Sequence, residues 1–406
     1  MHRIRFIPVF VFIISSLLAQ EKELSPWQNG YLDIHFISTG KGNSAFILMP
    51  DGTSLLVDAG DLNRDSERLS PAVPNSSKTP AQWIADYIYQ FHPKGKRAEL
   101  DYVLITHYHN DHIGSFSPSS ETHPEGNYKL SGITEVGSVI PIKKLIDSGD
   151  DFRRPEQNSG TGRLSQLKEY RKFISYQEKT NGLQYEKFRV GTYSQIKMKN
   201  SPGEFPDFVV KNLFSNGAIA AVSDSTIAIR KFKEGDFPPE NDLSSGFRIS
   251  YGLFDFYTGG DIPGIGHTGT PDTESMESLA APVIGNVDVA TLNHHGNRNS
   301  QNEFYVRTLQ ARVWIMQSWT ISHPGEEVLR RTMSPYVYPG DRDLFTNFLH
   351  PVSKAYLGSK ADGFKSTAGH IVVRVYPEGK NYDVFVLDDQ TNERQVVARY
   401  SYESKY

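Results

Sequence analysis

The segment Thr106-His107-Tyr108-His109-Asn110-Asp111-His112-Ile113-Gly114 sets His, His, Asp and His in the order H-x-H-x-D-H. Imidazole nitrogens and a carboxylate at this spacing suit zinc and its first-row neighbours. Leu100 to Ile105 ahead of it is a short apolar run that reads as a buried strand, so the loop begins where a strand ends. Two weaker pieces follow the same plan. Phe256-Tyr257-Thr258-Gly259-Gly260-Asp261 is a strand ending in two glycines and an aspartate, and Asn293-His294-His295-Gly296 follows the apolar run Val287 to Leu292. Alone, the aspartate reads as a turn residue and the His pair as a loop feature.

The chain has no cysteine, which removes disulfides, thiolate ligands and a cysteine nucleophile. No Gly-x-Ser-x-Gly elbow is present either. A hydrolase built from these residues needs a nucleophile taken from water. Net charge is −4, so no global basic signature advertises a nucleic-acid partner, and none excludes one. Arg153, Arg154, Lys168, Arg171, Lys172 and Lys179 could share a basic face, although such a pattern is more often plain solvated surface. No basic stripe interleaved with aromatics marks a nucleic-acid groove.

The elements that must position the candidates are legible in part. Met1 to Arg5 is basic, Phe6 to Leu18 is apolar and Ala19-Gln20 resembles a cleavage site. Residues 1–20 are therefore expected to be a secretory signal peptide, giving a secreted or periplasmic protein with no transmembrane segment in the mature chain, an uncleaved N-terminal anchor being the alternative. Tyr31 to Phe36 alternates like a strand, and Ser44 to Met49 with Ser54 to Val57 reads as a hairpin ending in Asp58-Ala59-Gly60. Thr79-Pro80 opens a helix through Phe91. Gly162 to Lys179 has helical spacing, with Leu164, Leu167, Tyr170, Phe173 and Ile174 on one face. Gly246 to Tyr257 reads as two strands about a Tyr-Gly turn, and His370 to Val375 with Tyr382 to Leu387 as a C-terminal β-hairpin. One hydrolase domain is expected over 27–390, with strands and a long insertion over about 115–235 and a tail over 391–406.

Taken together, the three pieces resemble the metallo-β-lactamase superfamily. They are most similar to the secreted hydrolase domain of DNA-uptake competence proteins. Gly40-Lys41-Gly42-Asn43-Ser44 to Asp58-Ala59-Gly60 resembles that branch's opening hairpin, and Asn241-Asp242-Leu243-Ser244 its N-x-x-S entry to the strand ending in G-D. The resemblance covers roughly 30–115 and 238–300. It implies an α/β fold, the four-layer αββα sandwich, and two divalent cations, zinc before manganese. It also implies that His107 and His109 hold one metal, that Asp111 and His112 hold the other, and that Asp261 bridges them. One of His294 and His295 would complete the second metal, with His295 favoured, while the other faces substrate or leaving group. Asp58 would be a supporting or turn carboxylate.

The chain departs from the family pattern in one respect. Many members supply a further His to the first metal, yet His123 is the only His between His112 and Asp261. His267, His323 and His370 are lesser candidates.

The expected mechanism is attack by a metal-bound hydroxide, with Asp111 orienting it and His294 stabilising charge or protonating the leaving group. Arg298 is placed to meet an anionic group. The substrate expected is a small-molecule or polymer phosphodiester, with nucleic acid left open. The alternatives are a lactam, lactone or thioester hydrolase, because fold does not fix the bond cleaved, and a non-catalytic binding protein.

Overall fold

The computed structural model describes residues 22–62, 66–117, 119–149, 163–221, 229, 230, 232, 238–266 and 271–405. The expected signal peptide, Arg153, Arg154 and His267 lie outside these residues.

In chain order the first strands are β1 (Leu32–Phe36), β2 (Ala45–Leu48), β3 (Ser54–Val57), β4 (Tyr102–Ile105), β5 (Lys144–Asp147) and β6 (Gln184–Lys187). Next come β7 (Phe208–Ser215), β8 (Ala218–Ile219), β9 (Ile229–Arg230), β10 (Gly246–Tyr251), β11 (Phe254–Thr258), β12 (Val289–Thr291), β13 (Val313–Met316), β14 (Asp343–Thr346) and β15 (Phe364–Ser366). The chain then returns to the first sheet with β16 (His370–Val375), β17 (Asn381–Leu387) and β18 (Val396–Glu403). One sheet has the order β18-β17-β16-β1-β2-β3-β4-β5-β6 and the other β15-β14-β13-β12-β11-β10-β7-β8-β9. The helices are α1 (Pro80–Phe91), α2 (Asn110–Ile113), α3 (Ile133–Val139), α4 (Arg163–Asn181), α5 (Met276–Ile284), α6 (Glu303–Leu309), α7 (Glu326–Thr332) and α8 (Pro351–Leu357).

Side-chain alternation builds the layers. On β4, Tyr102 and Leu104 enter the core between the sheets with Ile47, Ile249, Phe256, Val289 and Ile315. Val103 and Ile105 face the other way and pack under α1, α3 and α4, against Ile84, Ile88, Val136 and Phe173. On the second sheet, Tyr257, Ala290 and Trp314 pack against α5, α6 and α7 through Met276, Tyr305 and Leu329. This is the four-layer αββα sandwich expected. Each fully buried Val, Leu, Ile or Phe contributes roughly 1.5–3 kcal/mol. The N-terminus of α1 is closed by Thr79, which accepts from Gln82 N, while the Gln82 side chain accepts from Thr79 N.

Three features differ from the linear reading. Every residue of β1 is buried, because helices cover the sheet face that an alternating strand would show to water. Asp33 and His35 occupy that face, with Asp33 clasped by Arg374 at 2.8 and 2.6 Å and His35 bonded to Tyr87 on α1. Within 115–235, β5 and β6 extend the first sheet and β7 to β9 the second. Runs as short as Lys144–Asp147 carry no period to read. The segment expected as a tail contributes β18, which pairs with β17 and turns the C-terminal hairpin into three strands.

Parallel pairing decides where the site lies. β3 and β4 run parallel, as do β11, β12 and β13. Their carboxyl ends therefore gather at one edge of each sheet, where loops can carry polar groups without interrupting a ladder.

Candidate metal centre

The loop after β4 folds into one helical turn, α2, entered through His109. The backbone of 58–61 straps it down. Ala59 N donates to His112 O at 2.9 Å, Asp61 N to Asn110 O at 3.1 Å, and Asn43 N to Asp111 O at 2.7 Å. Gly60 sits so close that a Cβ there would lie 1.9 Å from Asp111 O. Glu240 pins the other side by accepting from Tyr108 N at 2.8 Å. The aspartate after β11 arrives through Gly260, whose backbone has φ +59 and where a Cβ would meet Thr106 Cβ at 3.0 Å. Ser244 receives Asp261 N at 3.1 Å, which gives the N-x-x-S stretch a physical role.

These elements bring six candidates into two groups. One is His107, His109 and Asp261; the other is Asp111, His112 and His295; within each, the ligand atoms lie within 4.8 Å of one another. His107 Nε2 is 3.0 Å from His109 Nδ1 and 3.6 Å from Asp261 Oδ2. His112 Nε2 and His295 Nε2 are each 3.2 Å from Asp261 Oδ1 and 3.2 Å from one another. His295 Nε2 is 3.8 Å from Asp111 Oδ2. Asp261 thus faces both groups, one oxygen to each.

The orientation of His112 comes from Asp58. This carboxylate is fully buried at φ 59 and lies 2.7 Å from His112 Nδ1. With the Nδ1 proton directed at Asp58, Nε2 is aimed at Asp261 and His295. Asp58 also accepts from Thr106 N, Thr106 Oγ1 and Asn43 Nδ2 at 2.8, 2.8 and 2.9 Å.

Electrostatics favour positive charge at this point. Burial by itself raises the Asp261 carboxyl, but His295, His112 and His107 outweigh it and hold it well below the usual carboxylate range. Burial likewise opposes a charge on His112, yet Asp261 and Asp58 lift its imidazole well above the usual value. Burial, helped by His112, pushes His107 well below it. Asp261 Oδ1 is buried and has no hydrogen-bond partner. An acceptor left unpaired among imidazoles fits a divalent cation, because a coordinate bond supplies what no donor does.

His294 and His295 are separated by backbone geometry. Both are left-handed, at φ 48 and φ 55, with Gly296 following at φ 73. His295 is buried against Trp319, ring centroids 4.2 Å apart, and points into the second group. His294 lies at the rim, its Nδ1 2.6 Å from Asn299 Oδ1 and its Nε2 3.3 Å from Asn241 Nδ2 and 4.0 Å from Asp261 Oδ2.

The remaining candidates sit elsewhere. Arg298 is 67% exposed, its Nε 4.0 Å from Glu327, with Gly325 packed on its stem. That places it on the α7 side rather than among the His and Asp groups. His123 stacks on Tyr128 at 4.8 Å and accepts from Gly126 N, away from the site. His370 accepts from Ser38 N beneath α1. His323 comes closest, buried with its ring 5.2 Å from His295, but beside the second group rather than the first. Among the described residues the first group therefore holds two imidazoles and a carboxylate. Glu240 and Trp319 were invisible to spacing arguments, because each reaches the site from a distant part of the chain.

Residues 38–137 match the sequence model of the family described as Metallo-beta-lactamase superfamily. No curated protein matches the chain. Among solved structures the chain is similar to Zn(2+)-bound PqqB from Methylobacterium extorquens, at 11% identity over 84% of this chain and 99% of that one, with a TM-score of 0.39. It is also similar to the short form of human tRNase Z, at 12% identity over 70% of this chain and 91% of that one, with a TM-score of 0.32. Residues 38–137 thus resemble the metallo-β-lactamase superfamily, and the two-sheet sandwich is consistent with its fold.

Proposed function

We propose that the chain is an exported metal-dependent hydrolase of phosphodiesters. The family match supports a metal-dependent hydrolase. The observation that carries the reading further is Asp261, buried with one oxygen toward each of two ligand groups. In this reading His107, His109 and Asp261 hold one cation, Asp111, His112 and His295 hold the second, and Asp261 reaches both. Zinc fits this nitrogen-and-oxygen set, with manganese the second choice. Divalent cations there would supply Lewis acidity toward a phosphoryl oxygen and a water acidic enough to react near neutral pH.

The chain's own residues do the rest. Asp111 is half-buried and orients the attacking water through a carboxylate oxygen. Asn299 fixes the His294 ring through Nδ1, and Nε2, at the rim beside Asn241, exchanges a proton with the leaving-group oxygen. Trp319 closes one wall and keeps water off His295. Export is proposed from the basic and apolar pattern of residues 1–20. Among the described residues no helix is long and apolar enough to cross a membrane. The phosphodiester preference rests on the likeness of the three motifs to the competence-protein hydrolase domain.

The test is hydrolysis of bis(p-nitrophenyl) phosphate by the chain beginning at Glu21, with Zn²⁺, Mn²⁺ or chelator, and Asp261→Ala as control. Metal-dependent turnover that the variant lacks is expected. A folded, metal-loaded protein that leaves this ester intact would overturn the phosphodiesterase reading in favour of carbonyl substrates or a binding role.

A further inference from the structure

His294, His295 and Gly296 are three left-handed residues in succession, and Gln301 is a fourth in the same loop, at φ 52. Non-glycine residues resist that region, so the loop keeps its shape only where surrounding contacts over-determine it. The contacts converge on one side chain. Glu277, in the first turn of α5, is wholly buried. Its Oε1 accepts from Asn293 Nδ2 at 2.8 Å, from Gln301 N at 2.7 Å and from Gln301 Nε2 at 3.1 Å. Its Oε2 accepts from Asn302 N at 2.8 Å. One carboxylate thus ties the residue before the His pair to the residues that close the loop. Two further contacts brace the clasp: Tyr257 donates to Asn293 Oδ1 at 3.1 Å, and Arg331 Nη2 donates to Ser300 O at 2.8 Å.

We infer that Glu277 is the positioning residue for His294 and His295, and that through this loop it sets the affinity of the second cation group. The inference rests on the metal-dependent reading above. All four partners are donors, so the loop is built around the ionised carboxylate. Burial nevertheless pushes the Glu277 carboxyl up to about 7, against the pull of Asn293, Asn302, Gln301 and the nearby Arg331 cation. The phenols of Tyr257 and Tyr305 face it and stay neutral, burial raising both well above the usual value. A carboxyl whose folded pKa lies above its unfolded value opposes folding increasingly as pH rises between the two values. The four bonds nonetheless converge on the two ends of the His-bearing loop.

Glu277→Gln keeps one acceptor oxygen but turns an amide NH₂ toward a backbone N–H. The measurement is Zn²⁺ binding by competition with a chromophoric chelator at pH 8, on wild type, Glu277→Gln and His295→Ala. It is paired with melting temperatures and the visible spectrum of Co²⁺-loaded protein. For Glu277→Gln the expected result is two sites, the weaker bound about tenfold less tightly, an altered Co²⁺ spectrum and a melting temperature within a few degrees of wild type. Wild-type affinity and spectrum in Glu277→Gln, with one site lost in His295→Ala, would overturn the inference alone. Two intact sites in His295→Ala would overturn the metal reading itself. Should Glu277→Gln fail to fold, Asn293→Ser decides, since it cuts the His-side bond to Glu277 while Gln301 and Asn302 keep theirs, with Tyr257→Phe as the control for the lost Tyr257 bond: Zn²⁺ binding weakened beyond that control supports the clasp, and binding equal to it refutes it.

Discussion

Asp58→Asn separates the orientation of His112 from the bulk of the fold. Asparagine has the same shape and tolerates the left-handed backbone at φ 59, so the turn after β3 survives. What changes is the group opposite His112 Nδ1, now 2.7 Å from a carboxylate oxygen that accepts its proton. An amide NH₂ at that place cannot accept. Either the ring loses its orienting partner, or it adopts the other tautomer and points a proton at Asp261 Oδ1 and His295 Nε2, each 3.2 Å from Nε2. Losing such a partner typically weakens metal affinity 10–100-fold, which is about 1.4–2.7 kcal/mol. The fold would lose about 1–3 kcal/mol from one poorly paired buried donor. Zn²⁺ competition titration measures the first effect and urea denaturation with chelator the second. Zn²⁺ affinity within twofold of wild type, in a variant that folds, would refute the idea that Asp58 aims the ring.

Other expectations follow from the same geometry. Gly60→Ala should displace the metal loop, because the new methyl would sit 1.9 Å from Asp111 O; we expect a loss of about 1–3 kcal/mol in stability together with weaker Zn²⁺ binding, and wild-type binding would sink the strap argument. Arg298→Ala should leave turnover within twofold of wild type, because the side chain is 67% exposed beside Glu327; a large rise in KM would show that it meets substrate after all. Burial alone would raise the Asp33 carboxyl, but the Arg374 hydrogen bonds outweigh it and hold it below the usual 3.8. That depressed pKa contributes stability above pH 3.8 that is lost as pH falls through the folded value. Asp33→Asn should therefore cost about 3–5 kcal/mol at pH 7 and progressively less toward pH 3, and urea curves that shift equally at both pH values would contradict this.

The metal loop was legible because it is contiguous. Four candidate ligand side chains in H-x-H-x-D-H after an apolar strand need only one turn of backbone to converge, and α2 is that turn. The hairpin of β2 and β3, the capped start of α1 and the pair β10 and β11 were legible for the same reason, since turn residues and caps act over a few positions. The short strands β5 and β6 were not, because parallel neighbours are joined through helices and each contributes only four residues. The strand β18 was missed because every second residue is exposed and only Val396 and Tyr402 are buried, an edge-strand pattern easily read as a polar tail.

The linear chain by itself determined which chemistry is available: imidazoles and carboxylates at strand ends, no thiolate, and a sandwich to carry them. Only the tertiary structure decided which of these groups meet. It turned the His295 ring inward against Trp319 and left His294 at the rim, because both residues are left-handed. It placed Arg298 beside Glu327, and it brought Asp58, Glu240 and Glu277 to the loops that carry the candidate residues. Residue type is local information, whereas the direction of a side chain depends on backbone angles that distant contacts impose.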